Sequence, residues 1–452
     1  MNRPASNFDV AAEVEAELFF IGGLLRDPRR IESVVELVKP EDFAEAFFGA
    51  MFDVIVREHA RGEEVSAFTI RPFICEHPGF EAMGGNAFLA NITVIDTLLA
   101  APVSTAKAIA KAARRRRLIE GLSEAASQPE AEPVERMIEL ADSAIVEATA
   151  SAKGSERLSG AQGMAKLAKA MKEDRRGVTC RVIPSFDEIV GPLRPKSLNL
   201  LAGRPGMGKT AVALSYALGA AQNGHGVLFV SLEMSSDELC ARAASEMSFG
   251  SRGQVPYSEF TKDGPPSREV MVALADAEAR MADMPFEIID TGGMTISRLA
   301  MEVRRNARRL AAKGESLGLV VVDYAQLLRT DARSQSPYER ISEVSMALKA
   351  IAKDNDVAVL ALAQLSREVE KRADKRPMLS DLRDSGQLEQ DADTIIFLLR
   401  EEYYLRKEKA EGWEAALQAV QNEIEFICAK RRHGIEGSAK GQFFGQYQAV
   451  RG

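Results

Sequence analysis

Cysteine is scarce in this sequence, with four in 452 residues. No two of them form a C-x-x-C pair, so neither a disulfide framework nor a cysteine-based zinc site is indicated. The four histidines are scattered along the chain and add no metal-ligand spacing. These shortages disfavour the disulfide-rich secreted class and point to a reducing compartment.

Long apolar runs are also absent. No stretch reaches the roughly 18 residues of a membrane-spanning helix, and the polar start "MNRPASNFDV" lacks the apolar core of a signal peptide. We therefore predict a soluble, cytoplasmic protein with no membrane partner.

An excess of basic charge is missing too. Asp and Glu number 66 against 58 Lys and Arg, which gives a formal net charge of −8. A monomer that coats nucleic acid through its overall field usually carries a basic charge, so that class is disfavoured. A local basic channel remains compatible with this composition.

The length and the hydrophobic pattern predict several domains. In residues 8–110, apolar residues recur at three- and four-residue spacings, as in "FAEAFFGAMFDVIVREHARG", and predict an all-α N-terminal domain. Residues 111–182 are charged and alanine-rich, and predict a helical linker region in which "GAQGMAKLAKAMKEDRRG" forms an amphipathic helix. In residues 183–452, short apolar runs alternate with helical segments, which predicts an α/β domain with a mainly parallel sheet.

One short motif in the α/β region carries chemistry. In "GRPGMGKT", Gly203, Gly208, Lys209 and Thr210 meet the P-loop spacing G-x-x-x-x-G-K-[ST], with Gly206 as a third glycine. The glycines let backbone N–H groups cradle phosphates at a helix N-terminus. Lys209 would reach the β- and γ-phosphates, and the hydroxyl of Thr210 would bind Mg²⁺. The motif predicts binding of ATP with Mg²⁺.

Polar residues follow three apolar runs of this region: Glu233 after "GVLFVSL", Asp323 after "GLVVV" and Gln364 after "VAVLALA". The carboxyl ends of parallel strands share one edge of a sheet, so these side chains should meet at the P-loop. Asp323 matches a Walker-B carboxylate that holds Mg²⁺. Glu233 is the candidate general base, and Gln364 the candidate hydrogen-bond partner of the γ-phosphate. A structural role, such as a helix N-cap, is the alternative for each.

Two cation-rich stretches follow. The first, "SREVEKRADKRPMLSDLRDSGQLEQDAD", interleaves cations with acids, and a solvated charged surface is its simplest interpretation. The second, "EIEFICAKRRHGIEG", predicts a strand that delivers Lys430, Arg431 and Arg432 to a glycine turn. In P-loop assemblies an arginine from a neighbouring subunit stabilises transition-state charge, so this role would require an oligomer.

Together, "AGRPGMGKT", "VSLEMS", "VVDYAQLL", "ALAQLSREVEKRADKRPMLSDLRDSGQLEQDAD" and "CAKRRHG" resemble the motif series of the DnaB-type replicative DNA helicases, a RecA-like group. The segments "EAELFFIGGLLRD" and "PEDFAEAFFGAMFDVI" resemble the N-terminal helical domain of that family. The resemblance covers most of the chain and weakens between about residues 111 and 182.

The resemblance implies a homohexameric ring that encircles single-stranded DNA, moves 5′ to 3′ on ATP hydrolysis and unwinds forked DNA at the replication fork. Residues 8–110 would form a collar, the linker helix would pack on a neighbouring motor domain, and residues 183–452 would form the RecA-like ATPase domain. Primase and a helicase loader are the candidate partners. The setting would be the cytoplasm of a bacterial cell or a phage-infected host, in association with the nucleoid.

The same resemblance assigns roles to individual residues. Arg383, Asp384 and Gly386 match the central loop that grips the DNA backbone. The remaining roles are ATP binding and hydrolysis (Lys209, Thr210, Glu233, Asp323), coupling of the γ-phosphate to the DNA loop (Gln364) and action in trans (Lys430, Arg432). Three positions depart from the usual family residues: Gly206 replaces serine, Asp384 replaces glutamate and His433 replaces asparagine.

Two other functional classes share part of this pattern. A RecA-like recombination ATPase or a KaiC-like regulatory ATPase would have the P-loop and the Walker-B strand without unwinding activity. The stretch "DKRPMLSDLRDSG" and the helical N-terminal region argue against both. A nonenzymatic assembly module is disfavoured because Lys209, Thr210, Glu233 and Asp323 are all intact.

Overall fold

The computed structural model describes residues 7–94, 102–129, 133–150, 159–172, 177–330, 336–409 and 412–452. The chain divides into two compact units, Met1–Gly163 and Met164–Gly452. None of the helices in these described ranges has the length and hydropathy needed to cross a membrane.

The first unit is helical. Its helices are α1 (Asn7–Arg26), α2 (Ala46–Ala60), α3 (Ala67–Ile74), α4 (Pro78–Ala82), α5 (Gly85–Ile92), α6 (Pro102–Ala126) and α7 (Val134–Ala150), with 3-10 turns at Pro28–Ser33 and Pro40–Asp42. The rings of Phe20, Phe43 and Phe52 meet at centroid distances of 5.4–6.1 Å and lie in one buried apolar cluster. Burial of these aromatic side chains contributes to the stability of the unit.

Helix α6 packs against this core along its first half. Ala106 and Ile109 are buried in the cluster, and Arg117 Nη2 donates to Asp42 Oδ1 at 2.7 Å. The expected boundary between the N-terminal domain and the linker region, at residue 110, falls inside α6. The helix is continuous there, and the start of the linker region stays a prediction. The expected amphipathic helix begins at Gly160 and ends at Lys172 as α8. Residues 173–176 of that segment lie outside the described residues.

The second unit is α/β. Its strands are β1 (Leu198–Gly203), β2 (Gly226–Ser231), β3 (Phe286–Asp290), β4 (Leu317–Asp323), β5 (Ala358–Gln364), β6 (Thr394–Leu399), β7 (Glu423–Arg431), β8 (Gly437–Phe444) and β9 (Ala449–Arg451). Its helices are α9 (Pro184–Val190), α10 (Lys209–Gln222), α11 (Ser236–Ser248), α12 (Tyr257–Phe260), α13 (Arg268–Ala282), α14 (Ile296–Ala312), α15 (Pro337–Asn355), α16 (Gly386–Asp391), α17 (Glu401–Glu408) and α18 (Trp413–Ala419).

Within the described part of this unit, the strands form one sheet in the order β3-β2-β4-β5-β1-β6-β7-β8-β9. Strands β1 to β6 pair in parallel, and β7 to β9 add an antiparallel extension. The sheet is mainly parallel, as the alternation of apolar runs and helices predicted. The central strand β1 is buried along its whole length, which fits an apolar run covered by helices on both faces.

Alternate side chains of β1 supply two cores on opposite faces of the sheet. Leu201 packs into a cluster with the apolar residues of α10 and α11. Leu200 and Ala202 pack into the second cluster with α14 and α15. Helices on both faces therefore hold the sheet rigidly, and its carboxyl edge keeps a fixed geometry.

Candidate active site

The carboxyl edge of the parallel strands opens into a cleft of about 430 Å³. Strand register explains why the predicted residues meet there, because Gly203 pairs with Gln364 and Ser231 with Asp323. The cleft is lined by Pro205, Gly206, Gly208, Lys209, Thr210, Ala211, Glu233, Arg242, Asp323, Tyr324, Gln364, Arg400, Phe443 and Gln448. Seven of the residues predicted from the sequence are in this lining, and their catalytic roles stay predictions.

Two P-loop glycines have a backbone conformation that a residue with a side chain adopts only at an energetic cost. Gly206 has φ +82° and Gly208 has φ +88°, both in the left-handed region. A Cβ on Gly206 would lie 2.6 Å from the ring of Tyr403. The loop then enters α10 at Lys209, and the first N–H groups of a helix have no partner within it and favour an anion.

Lys209 folds back onto this loop. Its Nζ donates to the carbonyl of Gly203 at 3.0 Å and to that of Arg204 at 3.4 Å. Burial lowers the pKa of Lys209, and the nearby carboxylates of Asp323 and Glu233 partly offset that effect. The ammonium is thus held beside the position that the P-loop gives to a phosphate.

Thr210 and Asp323 form the second contact in the cleft. Thr210 Oγ1 donates to Asp323 Oδ2 at 2.7 Å, and Asp323 is 2% exposed. Burial raises the pKa of Asp323, while the hydrogen bond from Thr210 and the charge of Lys209 act in the opposite direction. A hydroxyl and a carboxylate at this spacing are oxygen ligands of the kind Mg²⁺ prefers, so the residues present fit this ion.

Glu233 and Gln364 stand at the exposed rim of the cleft. Glu233 follows β2, and Gln364 is the last residue of β5. Both residues therefore line the same cleft as the P-loop. Their placement agrees with the expectation that polar residues at strand ends converge on one edge.

Sequence reasoning missed Arg400. Its Nη1 donates to the carbonyl of Gly206 at 3.0 Å, and its guanidinium lies 4.0 Å above the ring of Phe443. Among the described residues, its Nε has no hydrogen-bond partner. Burial lowers the pKa of Arg400, and Glu402 partly offsets that effect. Arg400 directly follows β6, so the strand-end rule that identified Asp323 would have identified it as well.

Phe443 and Gln448 were missed for a different reason. Phe443 lies on β8, and Gln448 lies between β8 and β9, in the antiparallel extension. No motif surrounds either residue in the sequence. Their place in the cleft depends on pairing of β7 with β6 and of β8 with β7, which local sequence patterns do not encode.

The expected DNA-loop residues lie on the chain between β5 and β6. Arg383 and Asp384 belong to a 3-10 helix at Leu379–Ser385, and Gly386 begins α16. This segment is organised by Asp381, whose carboxylate accepts from Met378 N and from Arg372 Nη2, both at 2.8 Å. The role of this segment in DNA binding stays a prediction.

Lys430 and Arg432 contact the end of α16 and the residues that follow it. Lys430 Nζ donates to the carbonyl of Glu389 at 2.5 Å. Arg432 donates to the carbonyl of Gln390 at 2.8 Å and pairs with Asp393 at 3.3 Å. Burial lowers the pKa of Lys430, and the charge of Arg432 adds to that effect. Neither cation is among the described residues that line the cleft, and their action in trans stays a prediction.

Comparison with known proteins identifies the family. Residues 10–111 match the DnaB-like helicase N-terminal domain, and residues 177–451 match the DnaB-like helicase C-terminal domain. The replicative DNA helicase DnaB of Rickettsia typhi is 32% identical over 459 residues, covering 94% of this chain and 89% of the relative. That of Geobacillus stearothermophilus is 31% identical over 449 residues, covering 96% of this chain and 93% of the relative.

Solved structures agree. A DnaB-like replicative helicase, described together with its interactions with primase, matches with a TM-score of 0.68 and 26% identity, covering 96% of this chain and 98% of that one. The ATPase domain of G40P matches with a TM-score of 0.56 and 31% identity, covering 66% of this chain and 99% of that one. The recombination or regulatory ATPase alternative is not favoured, because both helicase domains match in order.

The predicted resemblance is confirmed: the chain belongs to the DnaB-like helicases, and its activity is that of a replicative DNA helicase with a nucleotide-hydrolysing motor.

Proposed function

We propose that this helicase binds ATP with Mg²⁺ in the cleft at the carboxyl edge of the sheet and uses hydrolysis to move 5′ to 3′ along single-stranded DNA. The observation that carries the proposal is the contact of Thr210 with Asp323 beside the P-loop lysine, at 2.7 Å. This grouping matches the parts that P-loop motors use to hold Mg²⁺ and the terminal phosphates.

The roles of the cleft residues follow from their chemistry. Backbone N–H groups of the P-loop hold phosphate oxygens, and the Lys209 ammonium neutralises the charge that develops on the terminal phosphoryl group. Thr210 and Asp323 would hold Mg²⁺, which supplies Lewis-acid polarisation of the phosphates when bound. Glu233 orients and deprotonates the attacking water. Gln364 hydrogen-bonds the terminal phosphate from the end of β5.

DNA binding is assigned to the segment between β5 and β6, through Arg383, Asp384 and Gly386. The net charge of −8 favours binding inside a ring, where six copies of one short loop surround a strand. Multivalent contact then supplies affinity without a basic exterior. We further propose that Lys430 and Arg432 reach the nucleotide of the adjacent subunit in a homohexamer, where a cation stabilises transition-state charge.

Partner binding is proposed for the helical unit. The solved relative that shares both domains is described with its interactions with primase, and the same partner fits the N-terminal collar of this chain. We also propose that a helicase loader binds this protein and that the chain divides into a collar, a linker region and a motor domain. The proposed location is the cytoplasm, in association with the nucleoid.

The test is ATP-dependent strand displacement on forked DNA with either a 5′ or a 3′ single-stranded loading tail. We expect unwinding only with the 5′ tail, and none for Lys209→Ala. Lys313→Ala, an exposed lysine after α14, is the matched control and should unwind normally. Unwinding from the 3′ tail would refute the polarity, and unwinding by Lys209→Ala would refute the assignment of the cleft.

A further inference from the structure

Arg204 is the second residue of the P-loop, yet its side chain turns away from the cleft. Only 8% of this side chain is exposed. Its Nε donates to Glu370 Oε1 at 2.8 Å, and its Nη1 donates to the carbonyl of Leu365 at 2.8 Å. Leu365 directly follows Gln364, and Glu370 lies on the 3-10 helix Arg367–Lys371. A cation of the phosphate loop therefore holds the segment that leaves β5.

The backbone of Arg204 faces the catalytic lysine at the same time. Its carbonyl accepts from Lys209 Nζ at 3.4 Å, next to the 3.0 Å bond from Lys209 to Gly203. If Lys209 turned to a bound phosphate, both carbonyls would lose this donor. The backbone of Arg204 thus contacts the lysine of the cleft, while its side chain contacts the segment that leaves β5.

Glu370 makes two further polar contacts besides the one with Arg204. Its Oε2 lies 3.4 Å from Lys407 Nζ on α17, and its carbonyl accepts from Lys375 Nζ at 2.7 Å. The hydrogen bond from Arg204 is the largest cause of the lowered pKa of Glu370. The carboxylate therefore stays ionised, and its partner is a buried guanidinium that has lost most of its water.

The same segment continues to the proposed DNA loop. Ser366 N donates to the carbonyl of Asp381 at 3.1 Å, and Arg372 pairs with the carboxylate of Asp381 at 2.8 Å. Asp381 lies two residues before Arg383. A chain of short polar contacts thus runs from the P-loop to the segment that would contact DNA.

We propose that Arg204 is a positioning residue that couples the nucleotide state of the P-loop to the DNA-loop segment through its ion pair with Glu370. This inference rests on the proposed DNA-driven motor. A guanidinium is a rigid planar fork that donates to two acceptors in fixed directions, whereas a lysine ammonium is a compact charge with rotatable donors on a flexible stem, so the geometry favours arginine here. If Glu370 moves away, the buried guanidinium of Arg204 loses the charge that compensates its desolvation. The ion pair is therefore sensitive to small displacements of either segment.

The test measures ATP turnover of the full-length protein without DNA and with saturating polythymidine. We expect Glu370→Gln to reduce the stimulation of kcat by DNA at least about fivefold, with a much smaller effect on the DNA-free rate and on KM. Glu368→Gln is the matched control. It lies on the same 3-10 helix and pairs with exposed Lys371, so its stimulation should match that of the unsubstituted protein.

A double-mutant cycle separates coupling from damage to the fold. Arg204→Lys and Glu370→Gln should each reduce the stimulation, and the double variant should be no worse than either single variant. Equal losses of the DNA-free and DNA-stimulated rates in Glu370→Gln, or additive losses in the double variant, would overturn the coupling role. If DNA fails to stimulate the unsubstituted protein, the DNA-driven motor itself is refuted, and this inference with it.

Discussion

Gly206→Ala tests the geometry of the P-loop directly. Gly206 has φ +82°, and the left-handed region costs a non-glycine residue about 1–2 kcal/mol. Without ligand the substituted loop relaxes into another conformation, and it must regain the strained one to bind a nucleotide. The cost therefore appears as weaker binding. We expect roughly a 5- to 30-fold loss of nucleotide affinity from the backbone alone.

A second contribution comes from Tyr403. A Cβ at position 206 would lie 2.6 Å from Cε2 of this ring, so the ring must move before the loop can regain its shape. Tyr403→Ala in the Gly206→Ala background removes this obstacle and should recover part of the affinity. The backbone contribution should remain in the double variant.

The assay is a titration with a fluorescent ATP analogue. Gly314→Ala is the matched control, because Gly314 has φ +79° and a Cβ there would meet no neighbouring atom within 4 Å. It carries the same backbone cost far from the cleft, and its nucleotide affinity should be unchanged. Equal affinity for Gly206→Ala and the unsubstituted protein would refute the argument from backbone strain. No recovery in the double variant would refute the contribution of Tyr403.

Three further substitutions test separate parts of the proposed motor. Thr210→Val keeps the shape of the side chain but loses the hydroxyl, so the rate of ATP hydrolysis should fall at least about 10²-fold. The affinity of this variant for ATP should be the same in Mg²⁺ and in EDTA. The affinity of Thr210→Ser should still differ between these two conditions. Arg432→Ala should keep ATP binding and ring assembly by mass measurement but lower hydrolysis by about 10³-fold, and normal turnover would remove its role in trans. Arg383→Ala should leave the DNA-free ATPase rate unchanged and weaken the binding of single-stranded DNA. The steepness of log K for DNA binding against log salt concentration should fall by about 0.7 for each DNA phosphate that the variant no longer binds. An unchanged slope would count against the role of this loop.

The cleft was largely predictable because its residues obey a rule that needs no long-range information. A polar residue at the end of a buried parallel strand must face the shared carboxyl edge, and Asp323 and Gln364 do so. Arg400 obeys the same rule after β6 and was overlooked. The fold class followed from the alternation of apolar runs and helices, and it is confirmed.

The remaining contacts depend on pairings that the sequence does not display. Arg204 and Glu370 are 166 positions apart, and nothing near either residue indicates the other. Phe443 reaches the cleft only because β8 continues the sheet beyond β7. Such contacts arise from strand order, which local periodicity leaves open.

The position of β1 between β5 and β6 also determines the order in which the motor can fold during synthesis. The side-chain amide of Asn199 on β1 donates to the carbonyl of Val359 on β5, 160 positions later, so β1 leaves the ribosome long before its first neighbour exists. At about 5–20 residues per second this interval is roughly 8–32 s. During it an apolar strand waits without hydrogen-bonded partners, and the nascent chain depends on chaperones or on transient contacts to avoid aggregation.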